Sequence, residues 1–160
     1  MNRKNLNSIT RIAVAVLLLF LTSCDSRRIF EKNQEMPVSG WAQTNTVKFD
    51  VEIKDPATPA NFYINVRNAD GYPYANLFLF IKTVFPNGKH ATDTLECILA
   101  DEKGKWLGTG LGDIYDNQIP FKRNVRFPMA GTYRFEIEQG MRLETVPLIL
   151  DIGLRIEKSE

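Results

Sequence analysis

Val47-Lys48-Phe49-Asp50-Val51-Glu52-Ile53-Lys54 alternates apolar and charged residues without a fault. Successive side chains of a β-strand point to opposite faces, so this octet reads as a strand with one face on a core and one in water. Asp55-Pro56-Ala57-Thr58-Pro59 ends it, because proline has no N–H to give to a ladder. Outward from there the same period returns. Phe62, Ile64 and Val66 alternate with Tyr63, Asn65 and Arg67, and Asn68-Ala69-Asp70-Gly71-Tyr72-Pro73 follows as a turn-rich connection. Residues 77–85 open apolar on both faces (LFLFI), as a central strand does. Pro86-Asn87-Gly88-Lys89 contains Asn-Gly, a strong hairpin signal, and 90–99 returns as the partner strand. Residues 121–127 and 132–138 are two more strands, the second with Tyr133, Phe135 and Ile137 inward; 148–157 closes the chain with Ile152, Leu154 and Ile156 inward. Residues 100–119 break the period. Gly104, Gly108, Gly110 and Gly112 surround Trp106 and Leu107, which reads as a long loop or an interrupted edge, a place where function often sits. About seven strands without an amphipathic helix make an all-β chain, a single antiparallel β-sandwich, immunoglobulin-like or jelly-roll-like; the pattern does not separate these two.

The N-terminus is of another kind. Arg3, Lys4 and Arg11 precede ten unbroken apolar residues, 12–21 (IAVAVLLLFL), then Leu21-Thr22-Ser23-Cys24. Ten apolar residues fall short of the roughly 20 that span a bilayer but suit a signal-peptide core. The cleavage site resembles the lipobox of bacterial lipoproteins, which implies a diacylglycerol and fatty acid (palmitate) on Cys24 and a cut before it. The expected organisation is a lipoprotein signal peptide at 1–23, a tether at 24–40 and the β-sandwich domain at 41–160. The chains on Cys24 would hold the protein to a membrane, since more than one chain anchors stably. In Bacteroidetes lipoproteins an acid-rich stretch near this point resembles a surface-export signal; Asp25-Ser26-Arg27-Arg28 is mixed rather than acidic, and by that likeness the expectation is a periplasm-facing protein on the outer or inner membrane.

The part after residue 23 holds 17 basic residues and all 19 acids, a formal charge of −2 with both signs interspersed. No basic stripe is present of the kind nucleic-acid binding uses. Once Cys24 is lipidated, Cys97 stands alone and no intrachain disulfide forms; in the strand-like run Thr94-Leu95-Glu96-Cys97-Ile98-Leu99 it is expected as a buried apolar residue. His90 lies beside a hairpin turn and, seven residues from Cys97, on the opposite face of the strand, so the two make no catalytic pair. The serines of the mature chain, Ser26, Ser39 and Ser159, all lie outside the expected core, so no Ser-His-Asp nucleophile is expected. The acids of Asp101-Glu102-Lys103-Gly104 and Asp113-Ile114-Tyr115-Asp116 fit no EF-hand pattern. The expectation is no metal, no cofactor and no enzyme. Aromatics are the exception: Trp41, Tyr72, Tyr74 and Trp106 fall in loops or strand ends, where they either plug the sandwich or form a platform for sugar rings. The candidate partner or ligand contacts are Tyr72, Tyr74, Lys105, Trp106 and Leu107.

The body of the chain resembles the gliding motility lipoprotein GldH family of the Bacteroidetes. The resemblance lies in Ile64-Asn65-Val66-Arg67-Asn68, Asn76-Leu77-Phe78-Leu79, Phe85-Pro86-Asn87-Gly88-Lys89, Gly104-Lys105-Trp106-Leu107-Gly108-Thr109-Gly110, Asn124-Val125-Arg126-Phe127-Pro128 and Asp151-Ile152-Gly153-Leu154-Arg155-Ile156-Glu157. It implies a cell-envelope lipoprotein of the gliding machinery and the type IX secretion system tied to it, with other envelope lipoproteins of that machinery as partners. A tethered sandwich without a catalytic constellation agrees with this, and also with the alternative, a glycan-binding lipoprotein. A flat exposed aromatic platform would favour glycan; buried aromatics beside an apolar or charged patch would favour protein.

Overall fold

The computed structural model describes residues 25–159. Eleven strands form β1 (Arg28–Glu35), β2 (Trp41–Ala42), β3 (Val47–Ile53), β4 (Ala60–Ala69), β5 (Asn76–Val84), β6 (His90–Ile98), β7 (Thr109–Leu111), β8 (Ile114–Val125), β9 (Gly131–Gln139), β10 (Thr145–Val146) and β11 (Ile149–Lys158). No helix occurs among the described residues. A five-stranded sheet of order β1-β11-β4-β8-β7 faces a four-stranded sheet of order β3-β9-β5-β6, and every pairing is antiparallel. The short β10-β2 ladder lies beside them.

The period-two residues make the core. Val47, Phe49, Val51 and Ile53 from β3 meet Phe62, Ile64 and Val66 from β4 and Ile152, Leu154 and Ile156 from β11, all buried. At about 25 cal/mol per Å² of apolar surface removed from water, such residues are the main force joining the sheets. Both open sides are stitched. On one, Phe30 of β1 meets Phe49 of β3 edge-on, with centroids 6.1 Å apart. On the other, Lys122 Nζ of β8 donates to Asp93 Oδ2 of β6 at 2.6 Å.

Two boundaries expected from the sequence move. The segment read as a tether, 24–40, contributes β1, which pairs with β11 from Arg28 opposite Glu157 to Glu35 opposite Asp151; the sandwich therefore takes in residues before 41. An edge strand needs little apolar alternation, and here only Ile29 and Phe30 pack against the core as large apolar side chains. The stretch 100–119, read as a long loop or an interrupted edge, is the latter: it contains the short edge strand β7 and the first half of β8. Asn117 points inward, which hides the period, and it is satisfied there by donating to Asn68 Oδ1 at 3.0 Å and Val66 O at 3.2 Å. Pro120 is accommodated within β8 because β7 covers only Ile114 to Asp116, leaving that side of the strand a free edge. The stretch expected to be a signal peptide, 1–23, and Cys24 lie outside the described residues.

The sandwich has two unlike ends. At the near end, where the described chain begins, lie 25–27 and the loops 54–59, 85–89 and 126–130. At the far end lie 36–46, 70–75, 99–108, the 112–113 turn and 140–148.

Candidate functional site

The far end gathers most of the residues singled out in the sequence. Tyr72 is buried, and its hydroxyl donates to Asn76 O at 2.9 Å; burial raises its pKa from the ordinary tyrosine value. Its ring meets Tyr74 at 5.7 Å and 71°, and Trp106 at 6.4 Å and 41°. Trp106 in turn meets Tyr115 at 5.7 Å and 35°. Asp70 ties the group together: its Oδ1 accepts from Trp106 Nε1 at 2.9 Å and from the Tyr115 hydroxyl at 3.5 Å. Desolvation, and then the Asp70 charge, raise the Tyr115 pKa. The rings are tilted against one another and one is sealed, so they form a bracket, not the flat platform that stacks on a sugar ring. Trp41, by contrast, is fully buried and donates to Asn45 O at 2.7 Å, plugging the sandwich.

The bracket positions the 99–114 segment. Asp101 Oδ1 accepts from the backbone N–H groups of Lys103 and Lys105, closing a turn that leaves the Lys105 side chain in solvent. Gly108 runs so close to β8 that a Cβ there would lie 2.8 Å from Asn117 Oδ1. At Gly110 the added Cβ would lie 2.0 Å from Ile114 O, so only glycine lets β7 pair. Gly112, at φ +71°, makes the two-residue turn of the β7–β8 hairpin.

This segment presents apolar side chains to water. Leu107 is 57% exposed and Leu111 95% exposed. Ile114 stands opposite both Leu111 and Ala69 in the ladder, and Leu148 O accepts from Ala69 N at 3.0 Å on the other side. Leu148 is exposed at φ +57°, a conformation a bulky residue rarely adopts. Leu111, Ile114 and Leu148 thus form an apolar rim across the far end of the five-stranded sheet. Sequence reasoning placed Trp106, Leu107, Tyr72 and Tyr74 at this site but missed Asp70, Tyr115, Leu111, Ile114 and Leu148; the available signal was two apolar residues flanking a Gly-Asp turn.

Beside the rim, the outer face of the five-stranded sheet holds an open groove of about 560 Å³. Its polar groups satisfy one another. Asn65 Nδ2 donates to Asn33 Oδ1 at 3.2 Å, and Gln118 Nε2 donates to Asn65 Oδ1 at 3.4 Å. Arg67 bridges Asp116 at 2.6 Å and Asp151 at 3.1 Å.

Cys97 is fully buried, and desolvation pushes its thiol up to about 12. His90 is exposed at the near end, far from this site.

No solved structure matches. The chain is 35% identical over 156 residues to the "Gliding motility lipoprotein GldH homolog" of Christiangramia forsetii, covering 93% of this chain and 94% of that protein. It is 33% identical to the "Gliding motility lipoprotein GldH" of Flavobacterium johnsoniae, covering 93% and 95%. The family model described as GldH lipoprotein matches residues 28–156, from the first residue of β1 into the last strand. The chain therefore belongs to the GldH lipoprotein family.

Proposed function

We propose that this protein is a lipid-anchored envelope lipoprotein of the gliding motility and type IX secretion machinery. It acts without catalysis, through protein–protein contacts. Diacylglycerol on Cys24 holds it to the membrane, facing the periplasm. The far-end rim of Leu111, Ile114 and Leu148, with Tyr74, Lys105, Trp106 and Leu107 at the same end, meets other lipoproteins of the machinery. The observation that carries this reading is the hairpin: a polar bracket and two close-packed glycines hold Leu111 almost bare in water and Leu107 more than half exposed. Exposed apolar groups in one contiguous rim mark association surfaces. The family names support the motility assignment. The buried, proton-bearing Cys97 supports a non-catalytic role, because the thiolate is the nucleophile.

The test is in-cell crosslinking of the lipidated protein followed by mass spectrometry, with Cys24→Ala as control. Recovery of gliding or secretion lipoproteins, diminished in Cys24→Ala, is the expected result. Retention of polysaccharide with no specific protein would overturn it in favour of glycan binding.

A further inference from the structure

The chain is tied to the sandwich from the first residue after Cys24. The Asp25 carboxylate pairs with Arg155, whose guanidinium also holds Glu31 at 2.8 Å and Glu157 at 2.9 Å. Asp25 O accepts from Arg28 N at 3.3 Å, and Arg27 O accepts from Lys158 N at 2.8 Å. One residue spans at most about 3.6 Å. If the anchor proposed above is on Cys24, it leaves no slack: the near end must lie against the bilayer surface.

The charge of the two ends differs accordingly. The near-end segments 25–27, 54–59, 85–89 and 126–130 hold Arg27, Lys54, Lys89 and Arg126 against Asp25 and Asp55. The far-end loops hold Lys103, Lys105 and Arg142 against Asp70, Asp101, Glu102, Asp113 and Glu144. Glu52 stands exposed at the end of β3, and the other acids described near this end are engaged. Asp25 and Glu157 lie on Arg155, Asp93 on Lys122, and Asp55 accepts from the Thr58 hydroxyl and the Ala57 N–H of its own turn. Asn124, at φ +52° and held by its N–H to Asn61 Oδ1 at 2.9 Å, turns the chain so that Arg123, Val125 and Arg126 are all exposed. A valine at the end of β8, with exposed Arg123 and Arg126 on either side of it in the chain, suits the headgroup layer, with charge at the phosphates and methyls below them.

We infer that the near end is seated on the anionic phospholipid headgroups of the leaflet that holds Cys24, with Arg123, Arg126, Lys54 and Lys89 facing phosphates and Val125 reaching among them. The inference rests on the Cys24 anchor. Its consequence is a fixed orientation. The ten residues of β4 rise roughly 33 Å at about 3.3 Å per residue, so the far-end rim points away from that leaflet at about this height.

The test uses the full lipidated protein in vesicles of phosphatidylcholine with or without phosphatidylglycerol, read by amide hydrogen exchange. Residues 122–127 and 54–59 should exchange several-fold more slowly on the anionic vesicles, the difference fading with added salt, while 109–114 exchange equally on both. Arg123→Glu with Arg126→Glu, and separately Lys89→Glu on another loop, should abolish or shrink the difference without changing the denaturation midpoint or the membrane-bound fraction. Equal exchange on both vesicles, with diacylglycerol confirmed on Cys24 by intact mass, would overturn the seating alone. An intact mass without the lipid would overturn the anchor and the seating together.

Discussion

The two ends of the sandwich are built from the same kinds of side chain put to opposite uses. At the near end, Arg155 gathers Asp25, Glu31 and Glu157, while Lys54, Lys89, Arg123 and Arg126 face outward. At the far end, an acid, Asp70, gathers Trp106 and Tyr115, and what is left facing outward is apolar. The difference teaches that a polar cluster is best read by what it leaves uncovered: one end presents charge suited to a lipid surface, the other a rim suited to a protein. The two tryptophans make the same point on a smaller scale, since both lie at the far end and only Trp41 belongs to the core.

The largest expected effect comes from breaking that equivalence. Trp41→Ala removes a fully buried ring and should cost about 3–5 kcal/mol. Trp106→Ala, on a half-buried ring, should cost on the order of 1–2 kcal/mol, while weakening partner recovery more. Denaturant midpoints of the two variants read the contrast directly.

Next in size is the near-end cluster. Arg155→Met leaves Asp25, Glu31 and Glu157 without their shared cation and should speed exchange of the β1 amides by on the order of tenfold relative to β4. The wild type carries the same information in its pH dependence. The hydrogen bond from Arg155 lowers the Asp25 pKa below its ordinary value of 3.8. A lowered carboxylate pKa contributes stability above the unfolded value and loses it as pH falls through the folded one. Protection of β1 should therefore drop below about pH 4, before that of β4.

Smaller still, Leu111→Asp should leave stability within about 0.5 kcal/mol, since the side chain is almost wholly in water, and still reduce partner recovery. The smallest effect is at Cys97. Burial raises the thiol from 9.0 to about 12, so its contribution is intact below pH 9 and declines as pH rises above it. Iodoacetamide at pH 8 should label Cys97 only after unfolding, as intact mass would show.

Much of this was legible in the sequence, for reasons visible in particular strands. β3 and β9 alternate because each has one face on the core and one in solvent, so their period survived in the residues. β1 did not announce itself, because Lys32 and Gln34 occupy core-side positions at an unshielded edge. β8 was half hidden, because the inward Asn117 is satisfied by Asn68, a partner about 50 residues away in sequence that no local pattern reveals. At the far end, aromatic type and loop context pointed to Tyr72, Tyr74, Trp106 and Leu107. Asp70 and Tyr115 were invisible until β4 and β8 were brought into register.

The most direct test of the opposed ends is site-specific photocrosslinking in cells, with the photoreactive side chain placed at Leu111 in one strain and at Arg126 in another. The account predicts that position 111 captures an identified lipoprotein of the gliding or secretion machinery while position 126 yields lipid adducts and no protein. Capture of that partner from position 126, with none from position 111, would contradict it.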